Sequence, residues 1–412
     1  MMFYEEINRI PFTRNYDVII VGGGIGGVSA AIASARAGMQ TLIIEKSICL
    51  GGQATLGHVV KYEPLCDGHG KQLIGGISAE LMKKSILYGF DNLPCEWKER
   101  LGIVDEKTYD DEMSEYMNKE RRCATFFNIP AFVLALDEMM EQEGIDVLFD
   151  TVFCAPIMND NSCMGIIVEN KSGREAYRAK MIIDASGDAD VMYRCGAVCT
   201  ETDNFITYMC YDIDFKRMQD AISHKNMYRA IPSWRMLGYN PLDYSGKSTV
   251  KYYGTSVEQV NGFIKESRRS ALNYLKKNLR DDYMMISVPA IPAFRTTRRI
   301  IGLYELSELD DHKTFEDSIG ITGDWRKVGP IFEIPYRSLI DAKIPNVAAV
   351  GRIIASGGDA WEITRCIPQA AITGEAAGTA VSIAIKDNCR LQEINVQKLQ
   401  RTLEHNGVIL HA

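Results

Sequence analysis

The feature that most constrains this chain is a glycine-rich turn placed directly after a short apolar run, in the sequence DVIIVGGGIGG at residues 17–27. The run is apolar without alternation, which predicts a strand buried on both faces. Gly22, Gly24 and Gly27 have the spacing G-x-G-x-x-G. In a βαβ unit, the first glycine permits a tight turn and the second lets the backbone approach a pyrophosphate. The third lets the following helix pack closely on the strand.

The residues that follow complete this unit. VSAAIASARAG predicts a helix of small residues that ends at Gly38, and its N-terminal N–H groups would face phosphates. MQTLIIEK predicts a second strand that reaches Glu45, 23 residues after Gly22. An acidic side chain at this point accepts hydrogen bonds from an adenosine ribose. Strand, glycines, helix, strand and acid in this order therefore predict a bound adenine nucleotide.

Composition narrows the class of protein. A length of 412 residues suggests roughly two or three domains, and 46% hydrophobic residues can supply a sizeable core. The net charge of −8 argues against nucleic acid or an anionic membrane as the main partner, because both need a basic face. The chain has no run of 18 uncharged apolar residues, and its N-terminus lacks the apolar middle of a signal peptide. We therefore expect a cytoplasmic protein.

Two other patterns are interpreted as structural. CDGHG places Cys66 three residues before His69, with His58 nearby, and a metal site there is conceivable. No second ligand pair has comparable spacing and no C-x-x-C pair occurs, so an ordinary loop and reduced thiols are favoured, with no metal. The mixed-charge run at 105–122 predicts a solvated, partly helical surface segment.

Three later segments favour a cofactor that extends beyond a simple nucleotide. A second glycine pair at 51–52 follows the ribose acid, where a nicotinamide fold would normally proceed into a helix. AKMIIDASGDADV (179–191) and IPNVAAVGR (344–352) both predict strands that end in a backbone able to approach a ligand closely. Pro368 then begins a helix of small residues. The N-terminus of that helix could stabilise negative charge on a reduced flavin ring.

Together these motifs resemble the bacterial FAD-dependent oxidoreductase family of the glutathione-reductase-like superfamily, which is related to fumarate reductase and succinate dehydrogenase flavoproteins. The resemblance runs from about residue 17 to residue 385 and is weakest at about 204–255. Its landmarks are VGGGIGG, EKSICLGGQATLG, LIGGISAEL, IIDASGDAD, RTTRRIIGLYEL, FEDSIG, IPYRSLI, VAAVGR and RCIPQAAITGEAAGTA. It implies bound FAD and an α/β fold, in which a glutathione-reductase-like FAD-binding domain carries an inserted α+β substrate domain.

The resemblance also implies domain boundaries. The FAD-binding domain would comprise residues 17–203 and 291–390, with a substrate-binding insert at 204–290 and a C-terminal tail at 391–412. The insert is rich in aromatic residues, whose faces could stack on a ring or sugar; the alternative is that they fill the core. These residues are Tyr208, Tyr211, Tyr228, Trp234, Tyr239, Tyr244, Tyr252 and Tyr253.

The FAD contacts that the resemblance implies follow the chain. The turn glycines and residues 187–188 would lie near the pyrophosphate, and Glu45 would bind the adenosine ribose. Residues 52–54 would follow the ribityl chain, residues 351–352 would lie near the ribityl phosphate, and residues 368–370 would lie beneath the ring. Val152 would contact adenine through its backbone. The complete implied set is Gly22, Gly24, Ile25, Gly26, Gly27, Glu45, Lys46, Gly52, Gln53, Ala54, Val152, Gly187, Asp188, Gly351, Arg352, Pro368, Gln369 and Ala370.

For acid–base chemistry the first candidate is His58. It follows the glycine loop that should border the flavin, and histidine titrates near neutral pH. A surface or structural histidine is the alternative. Relatives often carry a histidine where Gly358 stands here, so this chain has either moved its base or uses different chemistry. Asp359 and Arg365 are secondary candidates.

An arginine cluster supplies the other catalytic candidates. FRTTRRIIG contains Arg295, Arg298 and Arg299; in an extended segment Arg298 would face away from the other two. A guanidinium is a rigid fork that binds carboxylates and stays charged. Arg295 and Arg298 are therefore candidates for holding an anionic substrate or stabilising a negative flavin. A structural ion pair with ELSELDD is the alternative.

The expected reaction is oxidation of a small polar molecule, such as an alcohol, sugar or hydroxy acid, by hydride transfer to FAD. No second G-x-G-x-x-G occurs between residues 60 and 340, so electrons would pass to oxygen or an unidentified carrier, although transient nicotinamide binding stays open. One alternative is a fumarate-reductase-like reductase of an activated double bond. A second is a non-catalytic flavin-carrying binding or RNA-modification subunit. The substrate, the direction and the oligomeric state are left open.

Overall fold

The computed structural model describes residue 7 and residues 9–90, 92–103, 124–231, 235–238 and 250–412. The surface segment expected at 105–122 lies outside the described residues. So do three aromatic residues of the insert, Trp234, Tyr239 and Tyr244.

The described residues form strands and α-helices, with several runs of consecutive strands. The strands are β1 Phe12–Val21, β2 Thr41–Ile44, β3 Lys61–Tyr62, β4 Thr125–Phe126, β5 Asp146–Leu148, β6 Val152–Asn159, β7 Ser162–Asn170, β8 Gly173–Asp184, β9 Cys199–Glu201, β10 Asp203–Phe205, β11 Thr207–Asp214, β12 Arg235–Gly238, β13 Lys251–Tyr253, β14 Tyr283–Ser287, β15 Arg298–Ile300, β16 Ser318–Gly323, β17 Ile331–Pro335 and β18 Val347–Ala349. The α-helices are α1 Ile25–Arg36, α2 Gly76–Leu87, α3 Cys95–Arg100, α4 Ile129–Gln142, α5 Asp190–Arg194, α6 Phe215–His224, α7 Val257–Lys277, α8 Gly358–Thr364, α9 Ile367–Asp387 and α10 Val396–His405.

A seven-stranded sheet organises the fold. Its order is β5-β2-β1-β8-β7-β6, with β18 also paired to β8. The strands β5, β2, β1, β8 and β18 run parallel, so their carboxyl ends meet at one edge. Val18–Val21 are buried, as their continuous apolar character predicts. Strand β1 begins earlier than the apolar run because residues from Phe12 onward also pair with β8.

The first turn of α1 packs directly against the backbone of the glycine turn. A Cβ on Gly27 would lie 1.9 Å from the carbonyl oxygen of Gly22, so no larger residue fits there. The helix ends at Arg36, and Gly38 follows with φ of +84°, which matches the expected glycine stop. The predicted strand–turn–helix unit is therefore present.

Helix α9 packs against α1 through glycine. A Cβ on Gly374 would lie 2.2 Å from the carbonyl oxygen of Gly26, and one on Gly378 would lie 2.3 Å from that of Ala30. The Ser29 hydroxyl donates to the carbonyl of Ala371 at 2.6 Å. This contact brings the N-terminal ends of both helices to the same side of the sheet.

The region expected to form the insert contains small antiparallel sheets and a long helix. Strands β12, β11 and β14 form one sheet and β10 pairs with β13. Helix α7 packs on the first of these through Ala271, beside Tyr208 and Cys210. Tyr208, Tyr211 and Tyr228 are buried, which favours the core role among the two interpretations of the aromatic residues. The domain boundaries themselves remain a prediction.

None of the described helices combines the length and the apolar character needed to cross a membrane.

A carboxyl group lies inside the core where α9 meets α2. Glu375 is 1% exposed, and its Oε2 accepts from the backbone N–H of Ile77 at 2.7 Å. Its Oε1 is buried without a hydrogen-bond partner. Burial raises the pKa of Glu375 from 4.5 to about 7. The carboxyl is therefore substantially protonated in the folded protein near neutral pH.

We predict that Glu375→Gln makes the stability less dependent on pH. Because the folded state raises this pKa, it holds a proton that the unfolded chain releases above pH 4.5. The resulting stability is lost as pH rises through 7, and it amounts to at most about 3 kcal/mol. In thermal melts between pH 5 and pH 8.5, the melting temperature of the wild type should therefore fall relative to that of Glu375→Gln as pH rises through 7. Glu404→Gln, at an exposed position, is the matched control; an identical pH profile for wild type and Glu375→Gln would contradict the assignment.

Candidate functional site

A cleft of about 510 Å³ opens where β1, β2, β8 and β18 end. Open α/β sheets bind ligands outside the carboxyl ends of their strands, and this volume is typical of a small-molecule site. Fifteen of the eighteen predicted FAD contacts line it. They are Gly22, Gly24, Ile25, Gly26, Glu45, Lys46, Gly52, Gln53, Ala54, Val152, Gly187, Asp188, Gly351, Arg352 and Ala370.

The remaining three predicted contacts do not line the cleft. Gly27 packs against the backbone of Gly22 and serves the helix–turn contact. Pro368 is buried in the first turn of α9. Gln369 is 1% exposed and its amide nitrogen donates to the Thr322 hydroxyl. These residues shape the elements around the cleft, and their geometry favours structural roles over the predicted cofactor contacts.

The glycine turn forms an open cradle. A Cβ on Gly24 would meet no atom within 4 Å, although the backbone around it is closely packed. The N–H of Gly51 donates to the carbonyl of Gly23 at 2.8 Å, which holds the second glycine pair against the turn. Gly24 has φ of −66°, so its conformation does not itself require glycine. The space beside it fits a phosphate at the N-terminus of α1.

Glu45 is positioned by the turn it faces. Its Oε2 accepts from the N–H of Gly23 at 2.7 Å. Its Oε1 accepts from the N–H and the hydroxyl of Ser47, at 2.8 and 2.7 Å. A carboxylate offers about four lone-pair positions, so one is left for a ribose hydroxyl. The acid is thus held in place before any ligand arrives.

Asp188 and Arg352 join the two ligand-facing loops on the opposite wall. Nη2 of Arg352 donates to Oδ1 of Asp188 at 2.7 Å, and its Nε donates to the carbonyl of Gly187. The Thr297 hydroxyl also donates to Oδ1 of Asp188, at 2.7 Å. Burial alone would raise the pKa of Asp188, but the charge of Arg352 and the Thr297 hydrogen bond outweigh it and hold the pKa below its ordinary value. Asp188 is therefore ionised and fixes the loop.

Arg298 lines the cleft beside this loop, on strand β15. Its Nε donates to the carbonyl of Asp188 at 3.1 Å, and its Nη2 donates to Asp190 at 3.3 Å. Glu201 lies 3.6 Å from Nε, and the side chain is 7% exposed. The guanidinium therefore lies at the end of the cleft expected to hold the pyrophosphate, and acidic groups already surround it. These contacts favour the structural alternative over the predicted catalytic role, with partners different from those expected in ELSELDD.

The ELSELDD segment pairs instead with the neighbouring arginine. Nη1 of Arg299 donates to Glu305 at 2.7 Å. Arg295 does not line the cleft, and its backbone N–H donates to Oδ1 of Asn204 at 2.9 Å. The predicted role of Arg295 in substrate binding therefore has no support from the cleft geometry.

His58 lies behind the cleft wall. Its Nδ1 is 3.0 Å from the carbonyl oxygen of Met209, and its Nε2 is 3.0 Å from the hydroxyl oxygen of Ser287. Burial lowers the pKa of His58, so the ring is neutral at pH 7. Both nitrogens are engaged and the residue does not line the cleft. The geometry therefore favours the structural alternative over the predicted general base.

Asp359 is likewise engaged elsewhere. Its carboxylate accepts from Arg326 at 2.6 Å and from Lys327 at 3.4 Å, and the hydrogen bond from Arg326 lowers its pKa. It does not line the cleft. Two of the predicted catalytic residues line the cleft, and these are Arg298 and Arg365.

Arg365 follows α8 and precedes α9, next to the cleft residues Ile367 and Ala370. Its Nε and Nη2 both donate to Oε2 of Glu362, the former at 3.1 Å. Burial would lower the pKa of Arg365, but the charge of Glu362 raises it above its ordinary value. A permanent positive charge therefore lies at the N-terminal end of α9, where the flavin ring is expected.

Sequence reasoning missed the part of the cleft that the insert contributes. Residues 254–257 of the insert line the cleft, together with residues 291–292 and Phe294, which directly follow the insert. Ser256 caps α7 by accepting from the N–H of Gln259. The pattern S-x-x-Q at 256–259 is a helix-start signal that could have placed this helix end, but not its proximity to the cleft.

We predict that two glycines of the same motif have different roles, one in binding the cofactor and the other in folding. Gly24→Ala should leave a folded protein that retains less than about a tenth of the wild-type FAD, because the added methyl group enters the phosphate cradle without touching the protein. Gly27→Ala should cost about 3 kcal/mol or more of folding free energy, because its Cβ overlaps a backbone oxygen. Thermal melts and the flavin released by acid distinguish the two. Equal stability losses for both variants would contradict this division.

Arg298→Ala should both melt early and lose flavin. Removing this arginine deletes a buried guanidinium that donates to the carbonyl of Asp188 and to the partly exposed Asp190, at a cost of about 1–3 kcal/mol. Arg174→Ala removes an exposed arginine paired with Glu169 and is the matched control. A folded, fully flavinated and inactive Arg298→Ala protein would restore the catalytic role instead.

Comparison with curated proteins finds partial relatives. The digeranylgeranylglycerophospholipid reductase of Picrophilus torridus is 29% identical over 173 residues, which are 42% of this chain and 39% of that protein. The enzyme of the same name from Thermoplasma volcanium is 27% identical over 174 residues, covering 42% and 40%. The matched region thus spans about two fifths of these relatives.

Solved structures with a similar fold cover nearly the whole chain. A geranylgeranyl bacteriochlorophyll reductase-like protein from Thermoplasma acidophilum is 16% identical, with a TM-score of 0.46 over 96% of this chain and 84% of its own. The p-nitrophenol 4-monooxygenase of Pseudomonas putida is 11% identical, with a TM-score of 0.49 over 95% and 84%.

The sequence model of the family described as FAD dependent oxidoreductase matches residues 17–205 and 203–403. This match covers most of the chain and confirms FAD as the cofactor and the α/β FAD-binding fold. It also sets aside the alternative of a non-catalytic subunit. The chain belongs to the FAD-dependent oxidoreductase family.

Proposed function

We propose that the protein oxidises a small polar substrate that carries a negative charge, with a hydroxy acid as the favoured class, by hydride transfer to FAD. Electrons would then leave to oxygen or to a carrier. The observation that carries this proposal is the position of Arg365 on the cleft wall at the start of α9. FAD, when bound, supplies the acceptor for a hydride from a C–H bond.

The free edge of Arg365 suits a carboxylate. Glu362 occupies Nε and Nη2, and among the described residues Nη1 has no hydrogen-bond partner. The cleft is also lined by apolar residues, among them Leu56, Ile291 and Phe294, and an apolar lining strengthens the interaction of one charge with another. Glu362 keeps the guanidinium in a single orientation. Arg365 would therefore bind and orient the substrate's acidic group.

The same features support a second candidate, reduction of an activated double bond. The curated relatives are named as reductases of digeranylgeranylglycerophospholipid, and the apolar lining would accommodate an unsaturated chain. Arg365 would then hold the group that activates the double bond. The two candidates differ in the direction of hydride transfer and are separated by one experiment.

Anaerobic mixing of the purified holoenzyme with hydroxy acids, sugars and neutral alcohols tests the proposal. We expect a hydroxy acid to bleach the flavin absorbance. Arg365→Ala should weaken the apparent affinity for that acid about 10- to 100-fold, because one charge-assisted contact is lost. Arg365→Lys should recover part of it, since the charge remains without the fork.

Arg390→Ala is the matched control, because Arg390 also pairs with a glutamate three residues away but lies outside the cleft. Flavin content and thermal melts are measured for every variant. Reoxidation of dithionite-reduced enzyme by enoates, with no bleaching by any hydroxy acid, would favour the second candidate. Bleaching that is equally sensitive to all three variants would contradict the role of Arg365.

A further inference from the structure

Helix α6, in the region expected to form the insert, exposes a stripe of large apolar side chains. Phe215, Met218 and Ile222 are 64%, 40% and 68% exposed, and their spacing of three and four residues places them along one side of the helix. Of the ten residues of α6, Ala221 is the one that is buried. The helix therefore presents its apolar stripe to the outside instead of packing it into the core.

The turn between α7 and β14 continues this apolar surface. Leu279 in the turn is 90% exposed, and Met284 at the start of β14 is exposed as well. The backbone N–H of Phe215 donates to the carbonyl of Asp282 at 3.1 Å, and Met284 pairs with Ile213, two residues before Phe215. The beginning of α6 and the turn therefore lie side by side. We call this surface the apolar corner, and it consists of Phe215, Met218, Ile222, Leu279 and Met284.

Lysines lie beside the apolar corner. Lys216 is in the first turn of α6 and Lys225 directly follows the helix. Lys276 and Lys277 are in the last turn of α7, immediately before the turn that carries Leu279. All four lysines are exposed. Their charges are therefore available to a partner that approaches the corner.

Most acidic groups of the same region are already paired. Asp214, Asp220 and Asp282 each form an ion pair with an arginine, at 3.2, 3.3 and 2.9 Å. Asp281 is exposed beside them. One exposed aspartate does not balance four exposed lysines, so the apolar corner has positively charged surroundings.

The sign of the charge in this region is opposite to that of the whole chain. Residues 204–290 contain 13 lysines and arginines against 8 aspartates and glutamates, a net charge of +5, whereas the chain as a whole carries −8. The overall charge disfavours an anionic partner for the molecule as a whole. An anionic surface nevertheless attracts the basic region and repels the acidic remainder, so it would orient the molecule with the insert toward itself.

The form of the apolar corner favours a lipid surface over an acidic protein. Its side chains project separately from a helix and a turn, and Leu279 leaves nine tenths of its surface in water. A protein partner would need a surface shaped to match these separate projections, whereas the headgroup region of a bilayer accommodates them without a fixed shape. An apolar stripe with lysines beside it is also the composition of helices that lie in the plane of a membrane interface.

We propose that the apolar corner docks this protein on the surface of an anionic lipid membrane. The stripe of α6 and Leu279 would enter the boundary between headgroups and acyl chains, and the four lysines would lie against the anionic headgroups. The protein would remain peripheral, bound through side chains of one helix and one turn. This proposal does not depend on the substrate class or on the direction of hydride transfer.

Flotation of the purified holoenzyme with lipid vesicles tests the proposal. We expect binding to phosphatidylcholine vesicles that contain about one third phosphatidylglycerol, and at least about tenfold weaker binding to vesicles of phosphatidylcholine alone. Raising the salt concentration from about 0.05 M to about 0.5 M should weaken the binding about tenfold, because salt screens the headgroup charge. Leu279→Ser should also weaken it about tenfold, because the variant has no large apolar side chain to remove from water.

A double variant with Lys276→Gln and Lys277→Gln should bind about 10- to 30-fold more weakly, since two attractive charges are lost. Leu309→Ser and Lys171→Gln are the matched controls and should bind like the wild type, because these side chains are equally exposed but lie outside residues 204–290. Flavin content and thermal melts should be the same for every variant, since each altered side chain is exposed.

Three results would overturn the proposal. Absence of binding to the anionic vesicles would reject a membrane and favour an acidic protein as the partner of the corner. Equal binding to both kinds of vesicle, without an effect of salt, would reject the role of the lysines. Losses of binding in the two control variants that match those in Leu279→Ser and the lysine variant would reject the location.

Discussion

The fold depends on two close backbone contacts. Helix α1 packs against the glycine turn that precedes it, and helix α9 packs against α1. Gly27 lies against the carbonyl of Gly22, and Gly374 lies against the carbonyl of Gly26, at separations that exclude any side chain. These two contacts place two helix N-termini at the carboxyl edge of one parallel sheet. The positive ends of both helix dipoles therefore face the same cleft. The cofactor site follows from how closely the helices approach.

The cleft has two ends with different construction. At the glycine turn the wall is mostly backbone, with Glu45 and Asp188 held by hydrogen bonds from the chain itself. The other part of the wall includes Val257 and Val260 of the insert and Arg365, which directly precedes α9. The first end depends on the rigid sheet and suits a constant group such as a dinucleotide. The second depends on the less regular insert, which is where family members can differ in the molecules they accept.

Much of the cofactor site was predictable from sequence because its determinants are local. The turn glycines, Glu45 and the end of α1 lie within a single βαβ unit, in which the order of residues fixes the geometry. The catalytic candidates were not predictable in the same way. The partners of Arg298 lie about a hundred residues earlier in the chain, and His58 contacts two strands of the insert. Whether an arginine or a histidine is free for chemistry depends on such distant partners, and spacing in the sequence does not reveal them.

The location of the cleft between the FAD-binding sheet and residues 254–257 of the insert has a consequence for the protein in the cell. A ligand that contacts both walls stabilises only the folded chain, by about 2.7 kcal/mol when its free concentration is one hundred times its Kd. Unfolded chains are removed by proteases, so a change of this size alters abundance several-fold. Cells make FAD from riboflavin, so the steady-state amount of this protein would follow the supply of that vitamin. When riboflavin is short, degradation would lower the amount of enzyme even while its synthesis continued.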